Sequence, residues 1–364
     1  MPDFAPSNRG TRLLVSAAAL VIIGGGIYQA QAVLVSLLVS IFLAILATPP
    51  IHWLERRGVP TIAAVLLVLA GMVLLLLASG AVIGASISGF SEEVPAYQAR
   101  MKEQVTTLLA YLSSKGVRGL DKVLRDLLNP SMVMGLTARL LAELGAALSN
   151  ILLVLLTIAF ILFEAASFPG KLRSVLGDPL QSFPQFTGFI QEIERYVVIK
   201  SLIGLATGLL VGAWLWFLGV DFFVLWGFLA FLLNFIPSIG STLASVPAIL
   251  LALVQLGPGS AALASLGYMA ANFTLDYLVE PRLMGQRLHL STLVVFLSLI
   301  FWGSLLGPVG MVLCIPLTMT LKFACENGAG TRWIAVLLGD GQAEPARATL
   351  APGRGGAAPS PPAP

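Results

Sequence analysis

Charge is what this sequence has least of. Asp, Glu, Lys and Arg together make up 11% of its 364 residues, whereas hydrophobic residues make up 57% and mean hydropathy is +0.92. A soluble domain carries about 25% charged residues because its surface has to face water. A chain this long with so few cannot cover itself with polar side chains, so lipid serves as solvent for much of it. Histidine and cysteine are scarcer still. His52 and His289 are the only histidines, which excludes a histidine-rich metal site. Cys314 and Cys325 are the only cysteines, match no zinc or redox spacing, and read as small apolar filler near a helix end. No Gly-x-Ser-x-Gly elbow and no Walker lysine occurs, so neither serine hydrolysis nor ATP-driven pumping is supported. The sequence therefore points to no enzyme, no catalytic or metal-ligating residue and no cofactor. Any work must draw on a gradient of H+, Na+ or the solute itself. The net charge of +3 and a pI near 9.0 do not indicate nucleic acid, because the basic residues cluster beside apolar runs, as in membrane proteins.

What is present is a series of charge-free windows. Asp, Glu, Lys and Arg are missing from 13–54, 58–91, 144–163, 201–220, 222–275 and 288–321. A helix needs about 20 residues to cross ~30 Å of hydrocarbon. The first window thus holds two spans, split near Tyr28-Gln29-Ala30-Gln31, and 58–91, 144–163 and 201–220 hold one each. The 222–275 window is too long for one span and is broken by Pro237, Gly240, Pro247 and Gly257-Pro258-Gly259, and the last is broken by Gly307-Pro308, Gly310 and Pro316. The expected fold is all-α: a polytopic membrane protein of about eight transmembrane helices, with two Gly/Pro-broken segments in the C-terminal half.

Basic residues set the orientation. Arg9 and Arg12 precede the first pair of spans and Arg56-Arg57 follow it, which puts the N-terminus in the cytoplasm. The apolar stretch after Arg12 runs through Ile51 without a small-residue cleavage site, so it reads as a retained anchor. Residues 1–91 form a three-span segment and 92–143 an extramembrane helical insert on the outer side. Val94, Tyr97, Met101, Val105, Leu108 and Leu112 give that insert one apolar stripe. The stripe either packs on its own subunit or pairs with a second copy; a homo-oligomer is expected. Residues 144–200 supply a fourth span and a cytoplasmic polar helix, 201–326 the membrane core, and 327–364 a largely disordered tail rich in Ala, Gly and Pro.

Three blocks within 196–326 carry a family resemblance. The first runs from Leu218-Gly219-Val220-Asp221 through Trp226-Gly227 to Asn234-Phe235-Ile236-Pro237-Ser238-Ile239-Gly240-Ser241. The second is Glu280-Pro281-Arg282-Leu283-Met284-Gly285 with Leu290-Ser291. The third is Val294 through Gly303, then Leu306-Gly307-Pro308-Val309-Gly310-Met311 and Ile315-Pro316-Leu317-Thr318. In this order they resemble the signature of the autoinducer-2 exporter (AI-2E) family of bacterial transporters. The chain departs from that signature at Asp276-Tyr277, where many members read Gly-Asn, and at His289, where glycine is usual.

The two breaks share a grammar. Pro237-x-x-Gly240 precedes Pro247, Pro308-x-Gly310 precedes Pro316, and each break follows a Trp-Gly pair. Broken backbone inside a bilayer survives only where protein or water covers it, and paired breaks mark transporter binding sites. The alternative is a pair of packing kinks. Asn234, Pro237, Ser238, Gly240 and Ser241 at the first break, and Pro308, Gly310 and Pro316 at the second, are candidate pathway residues. Asn272, Asp276 and Glu280 recur every four residues, so on one continuous α-helix they form a row able to hold a proton or cation. Pro281 also suggests a helix end there, with Glu280 pairing to Arg282 at the interface. Lys200 reads as an interfacial anchor and Asp221 as part of a tight turn. The resemblance implies a secondary transporter in the bacterial inner membrane that exports a small polar solute, with autoinducer-2 or a related compound as its cargo. Some relatives imply instead a sodium(lithium)/proton antiporter carrying a monovalent cation. A non-transporting membrane scaffold joined through the 94–112 stripe is the third reading.

Overall fold

The computed structural model describes residues 9–114, 153–164, 184–284, 290–327 and 330–339. Every regular element among them is a helix. The expected tail beyond 340 and the insert from 115 onward lie outside the described residues.

Helix α1 (Arg9–Gln29) and helix α2 (Gln31–Arg56) are separated by Ala30 alone. The break falls among the polar residues that split the first window. With one residue between them, the two helices meet at a bend and not across a loop, because helical hairpins need about 2–5 residues. Helix α3 (Thr61–Ser114) has 54 residues. At about 80 Å it is far longer than a bilayer core, so it continues as one rod into the polar segment. Helix α4 (Leu153–Glu164) packs with α2 and the start of α3 around Ala44, Ala47, Ala64 and Ile158. Small side chains let these helices approach closely, and Ser40 Oγ reaches across to Val154 O at 3.3 Å.

The larger core is built from helix α5 (Pro184–Leu218), α6 (Phe223–Leu233), α7 (Gly240–Leu256), α8 (Pro258–Asn272), a π-helical segment (Phe273–Val279), α9 (Glu280–Met284), α10 (Thr292–Val312) and α11 (Cys314–Asn327). A short helix α12 (Arg332–Leu338) follows. The distal half of α3 joins this core. Tyr97 and Met101, from the apolar stripe, are buried against it within the same chain, and Tyr97 Oη donates to Asp221 Oδ2 at 2.9 Å.

Four helices, Gln31–Arg56, Thr61–Gln104, Gly188–Leu218 and Thr292–Val312, are each long and apolar enough to cross a membrane. Their outer faces carry Leu74, Leu75, Leu209, Trp216 and Phe217, all exposed. Contiguous exposed apolar surface on this scale faces lipid.

Candidate functional site

The site begins with glycine. Gly204, Gly208 and Gly212 recur every four residues on one face of α5, and Gly227 of α6 lies against them. A Cβ at Gly208 would stand 2.6 Å from Gly227 O, and one at Gly227 would stand 2.7 Å from Gly208 O. The contacts run 204 to 231, 208 to 227 and 212 to 223, so the helices are antiparallel and nearly backbone to backbone. This is small-xxx-small packing. It fixes where α6 can end.

Helix α6 stops after 11 residues, about 16 Å, roughly half of a hydrocarbon core. The chain then turns through Asn234–Ile239, with Ser238 at φ +63°, and starts back as α7 at Gly240. Gly240 is required because any Cβ there would run into Leu233 O. At the other end Asp221 N donates to Gln255 Oε1 at 3.0 Å, and Gln255 Nε2 donates to Gly219 O at 3.2 Å. The start of α6 and the end of α7 are thereby tied together. The first break is a helical hairpin, and its tip is Asn234–Ile239.

Asn234 is 3% exposed at that tip, and its Nδ2 donates to Asp276 Oδ1 at 3.0 Å. Asp276 sits in the middle of the π-helical segment. The wider π turn alters the expected row. Asp276 faces the hairpin tip, whereas Glu280 faces α5 and takes both carboxylate oxygens to Lys200 Nζ, at 2.8 and 3.0 Å. Lys200 is 6% exposed in the middle of α5, and Glu280 is paired with it and not with Arg282, which is exposed on α9. Two carboxamide acceptors are buried without a hydrogen-bond partner: Asn234 Oδ1 at the tip and Asn272 Oδ1 at the end of α8, four residues before Asp276. Buried polar atoms normally find partners. Here two are left open, one of them on the side chain that donates to Asp276.

The second break has different neighbours. Gly307 lies at φ +67°, ψ −152°, a region open essentially to glycine alone, and Pro308 follows it. Gly310 is packed against Trp302 O, Gly303 against Met311, and Trp302 Nε1 donates to Thr318 Oγ1 at 3.1 Å. The chain thus folds back on itself within α10 at Gly307-Pro308, and α11 continues the returning arm. Pro316 falls in the first turn of α11, where its missing N–H costs nothing. Gly307 faces the side chain of Gln31 at the α1–α2 joint, while Pro237 and Ser238 line a cavity of about 290 Å³ with the first half of α10 (Thr292, Phe296, Leu299). The breaks are two separate structures, and Asp276 meets the first. Ser241 lies half-buried in the first turn of α7.

The sequence reading missed three features. The 204/208/212 glycine spacing was available and pointed to close packing. The π segment and the Lys200 partnership had no sequence signal, because a single inserted residue in a helix and a contact 80 residues away leave none in composition or periodicity.

A lipid-facing helical bundle that buries a broken hairpin tip against an acid-bearing, widened helix defines a membrane transport protein. The sequence agrees at full length. The chain belongs to the AI-2E family transporters, whose family model matches residues 18–330. It is 38% identical over 331 residues to "AI-2 transport protein TqsA" of Escherichia coli K12, covering 91% of this chain and 96% of that one. It is 34% identical to "Putative transport protein YhhT" of the same organism, over 93% and 97% of the two chains. A "Putative transport protein" of Haemophilus influenzae is 35% identical, over 90% and 96%.

Proposed function

We propose that this protein is an inner-membrane secondary transporter that exports a small polar solute through the Asn234–Asp276 centre, with autoinducer-2 or a related compound as cargo. The observation that carries the reading is the hydrogen bond between the hairpin tip and the π segment, made by an Asn234 side chain whose own Oδ1 is buried without a partner. Such a centre offers one carboxylate and one free carbonyl acceptor to a solute's hydroxyl protons. It also lies where a hairpin tip can move relative to the helix it touches. The printed name of the E. coli relative supports autoinducer-2 as the first solute to try. Coupling to H+ or Na+, a cytoplasmic N-terminus and assembly as a homo-oligomer belong to the same reading. Purified protein in liposomes tests it: solute preloaded inside should escape faster than from empty-protein controls, and an imposed ion gradient should change the rate.

The same oxygens favour a second reading. A buried carboxylate beside a carboxamide oxygen can take part in holding a monovalent cation, so the centre also suits sodium–proton antiport. Sodium-driven alkalinisation or acidification of the vesicle lumen, with no solute requirement, would select it.

A further inference from the structure

Helices α2 and α3 are joined by a short turn, Arg57-Gly58-Val59-Pro60. Gly58, at φ +88°, takes the left-handed conformation that closes a helix C-terminus. Gly58 N donates to Glu55 O at 2.9 Å and Val59 N to Leu54 O at 3.2 Å. These are the two hydrogen bonds of a Schellman motif. Leu54 and Val59 both pack against the α2–α3–α4 core, so the turn is anchored as well as closed.

This turn presents two cations and an aromatic ring to its surroundings. Trp53, Arg56 and Arg57 are all exposed, and the Arg57 guanidinium carbon lies 4.0 Å from the centroid of the Trp53 ring. A guanidinium lying over a ring is oriented by it and keeps its N–H edge open. Neither arginine has a side-chain hydrogen bond or ion pair among the described residues. Glu55 is the one acid from Gln31 to Thr61, and it pairs with neither. An open guanidinium edge is the donor that grips phosphate oxygens two at a time.

The place of the turn decides which phosphate. Gln31–Arg56 and Thr61–Gln104 are each long and apolar enough to cross a membrane, so the turn between them emerges where apolar chain gives way to water. Lipid headgroups lie at that level. We infer that the α2–α3 turn is a binding site for the headgroup phosphate of an anionic phospholipid, held by Arg56 and Arg57, with Arg57 oriented by Trp53. The inference is independent of cargo and of transport. A helix C-terminus carries partial negative charge and repels an anion, so the arginine side chains supply the attraction. A zwitterionic headgroup brings its own cation to its phosphate, whereas phosphatidylglycerol leaves that phosphate to the protein. Basic residues beside a span attract anionic lipid by charge alone; the stack on Trp53 adds geometry to the charge.

The test is native mass spectrometry of the full chain released from detergent, with phosphatidylglycerol, phosphatidylcholine and inorganic phosphate as probes. Wild type should retain phosphatidylglycerol at least about tenfold more than phosphatidylcholine, and millimolar inorganic phosphate should not displace it. Arg56→Gln/Arg57→Gln should lower that retention about tenfold, whereas Arg100→Gln/Lys102→Gln, exposed charges elsewhere on α3, should leave it unchanged. Trp53→Leu keeps every charge and should still weaken retention about two- to fivefold, and Arg57→Lys, which keeps the charge without the fork, should do the same. Equal retention of the two lipids by wild type overturns the site, as does unchanged retention in Arg56→Gln/Arg57→Gln. An equal loss in Arg100→Gln/Lys102→Gln, or no loss in Trp53→Leu and Arg57→Lys, overturns it in favour of attraction to net charge. Displacement by inorganic phosphate overturns lipid as the occupant.

Discussion

Asn234 and Asp276, 42 residues apart, are joined by a 3.0 Å hydrogen bond between the tip of a helical hairpin and the middle of a π-helical segment. Neither element is regular helix, and each irregularity serves the contact. The hairpin carries a buried carboxamide at its tip, and the π segment turns a carboxylate toward it.

The first prediction concerns the carboxamide. Asn234→Ala removes the donor and leaves Asp276 without this partner, so transport should fall about tenfold or more, since hydrogen bonds to charged groups contribute roughly 1.5–3 kcal/mol. Initial efflux rates in liposomes measure it. Asn234→Gln, which restores the amide at a longer reach, should recover part of the rate.

The Lys200–Glu280 pair gives a stability prediction. Both side chains are largely buried, at 8% and 19% exposed. Lys200→Met leaves a buried carboxylate unpaired and should cost about 3–5 kcal/mol, whereas the double variant Lys200→Met/Glu280→Gln should recover most of that loss. Thermal unfolding of detergent-solubilised protein separates the two. Additive losses in the double variant would mean that the pair is not coupled.

Close glycine packing should be equally exact in its demands. Gly227→Ala places a methyl group against Gly208 O and should destabilise by about 1–3 kcal/mol through forced separation of α5 and α6. Gly24→Ala, with nothing within 4 Å of the added carbon, should leave stability unchanged or slightly raised. The two variants compared in one melting experiment decide whether the crossing or glycine content as such is responsible.

The long helix α3 is tied to the core by Tyr97 to Asp221, and by Gln104 Nε2 to Val254 O at 3.3 Å. Tyr97→Phe should loosen its distal half. Limited trypsin digestion reads this at Arg100 and Lys102, where cleavage should become several-fold faster, while transport changes less than in Asn234→Ala.

Much of this was legible in the sequence because hydrocarbon punishes irregular backbone. Charge-free windows located the helices, the polar run at Gln29-Ala30-Gln31 located the first joint, and Pro237 and Gly240 located the hairpin tip. Asp276 stood out because an acid among apolar residues is expensive. Partnership was not legible. Asn272, Asp276 and Glu280 look like one row until the π turn divides them, and Lys200 looks like a helix end until α5 is seen to run from Pro184 to Leu218. Two Gly/Pro breaks of the same grammar also proved to have different neighbours, since Pro237 faces α10 and Gly307 faces Gln31.

The central claim is that solute passes the bilayer by way of Asp276 at the hairpin tip. The most direct measurement is autoinducer-2 efflux from liposomes holding wild-type protein or Asp276→Asn, a change that keeps the side chain's size and removes its charge. The account predicts efflux from wild-type vesicles and a fall of at least about tenfold in Asp276→Asn, with both proteins melting within a few degrees of each other. Equal efflux from the two, or efflux lost only because Asp276→Asn no longer folds, would contradict it.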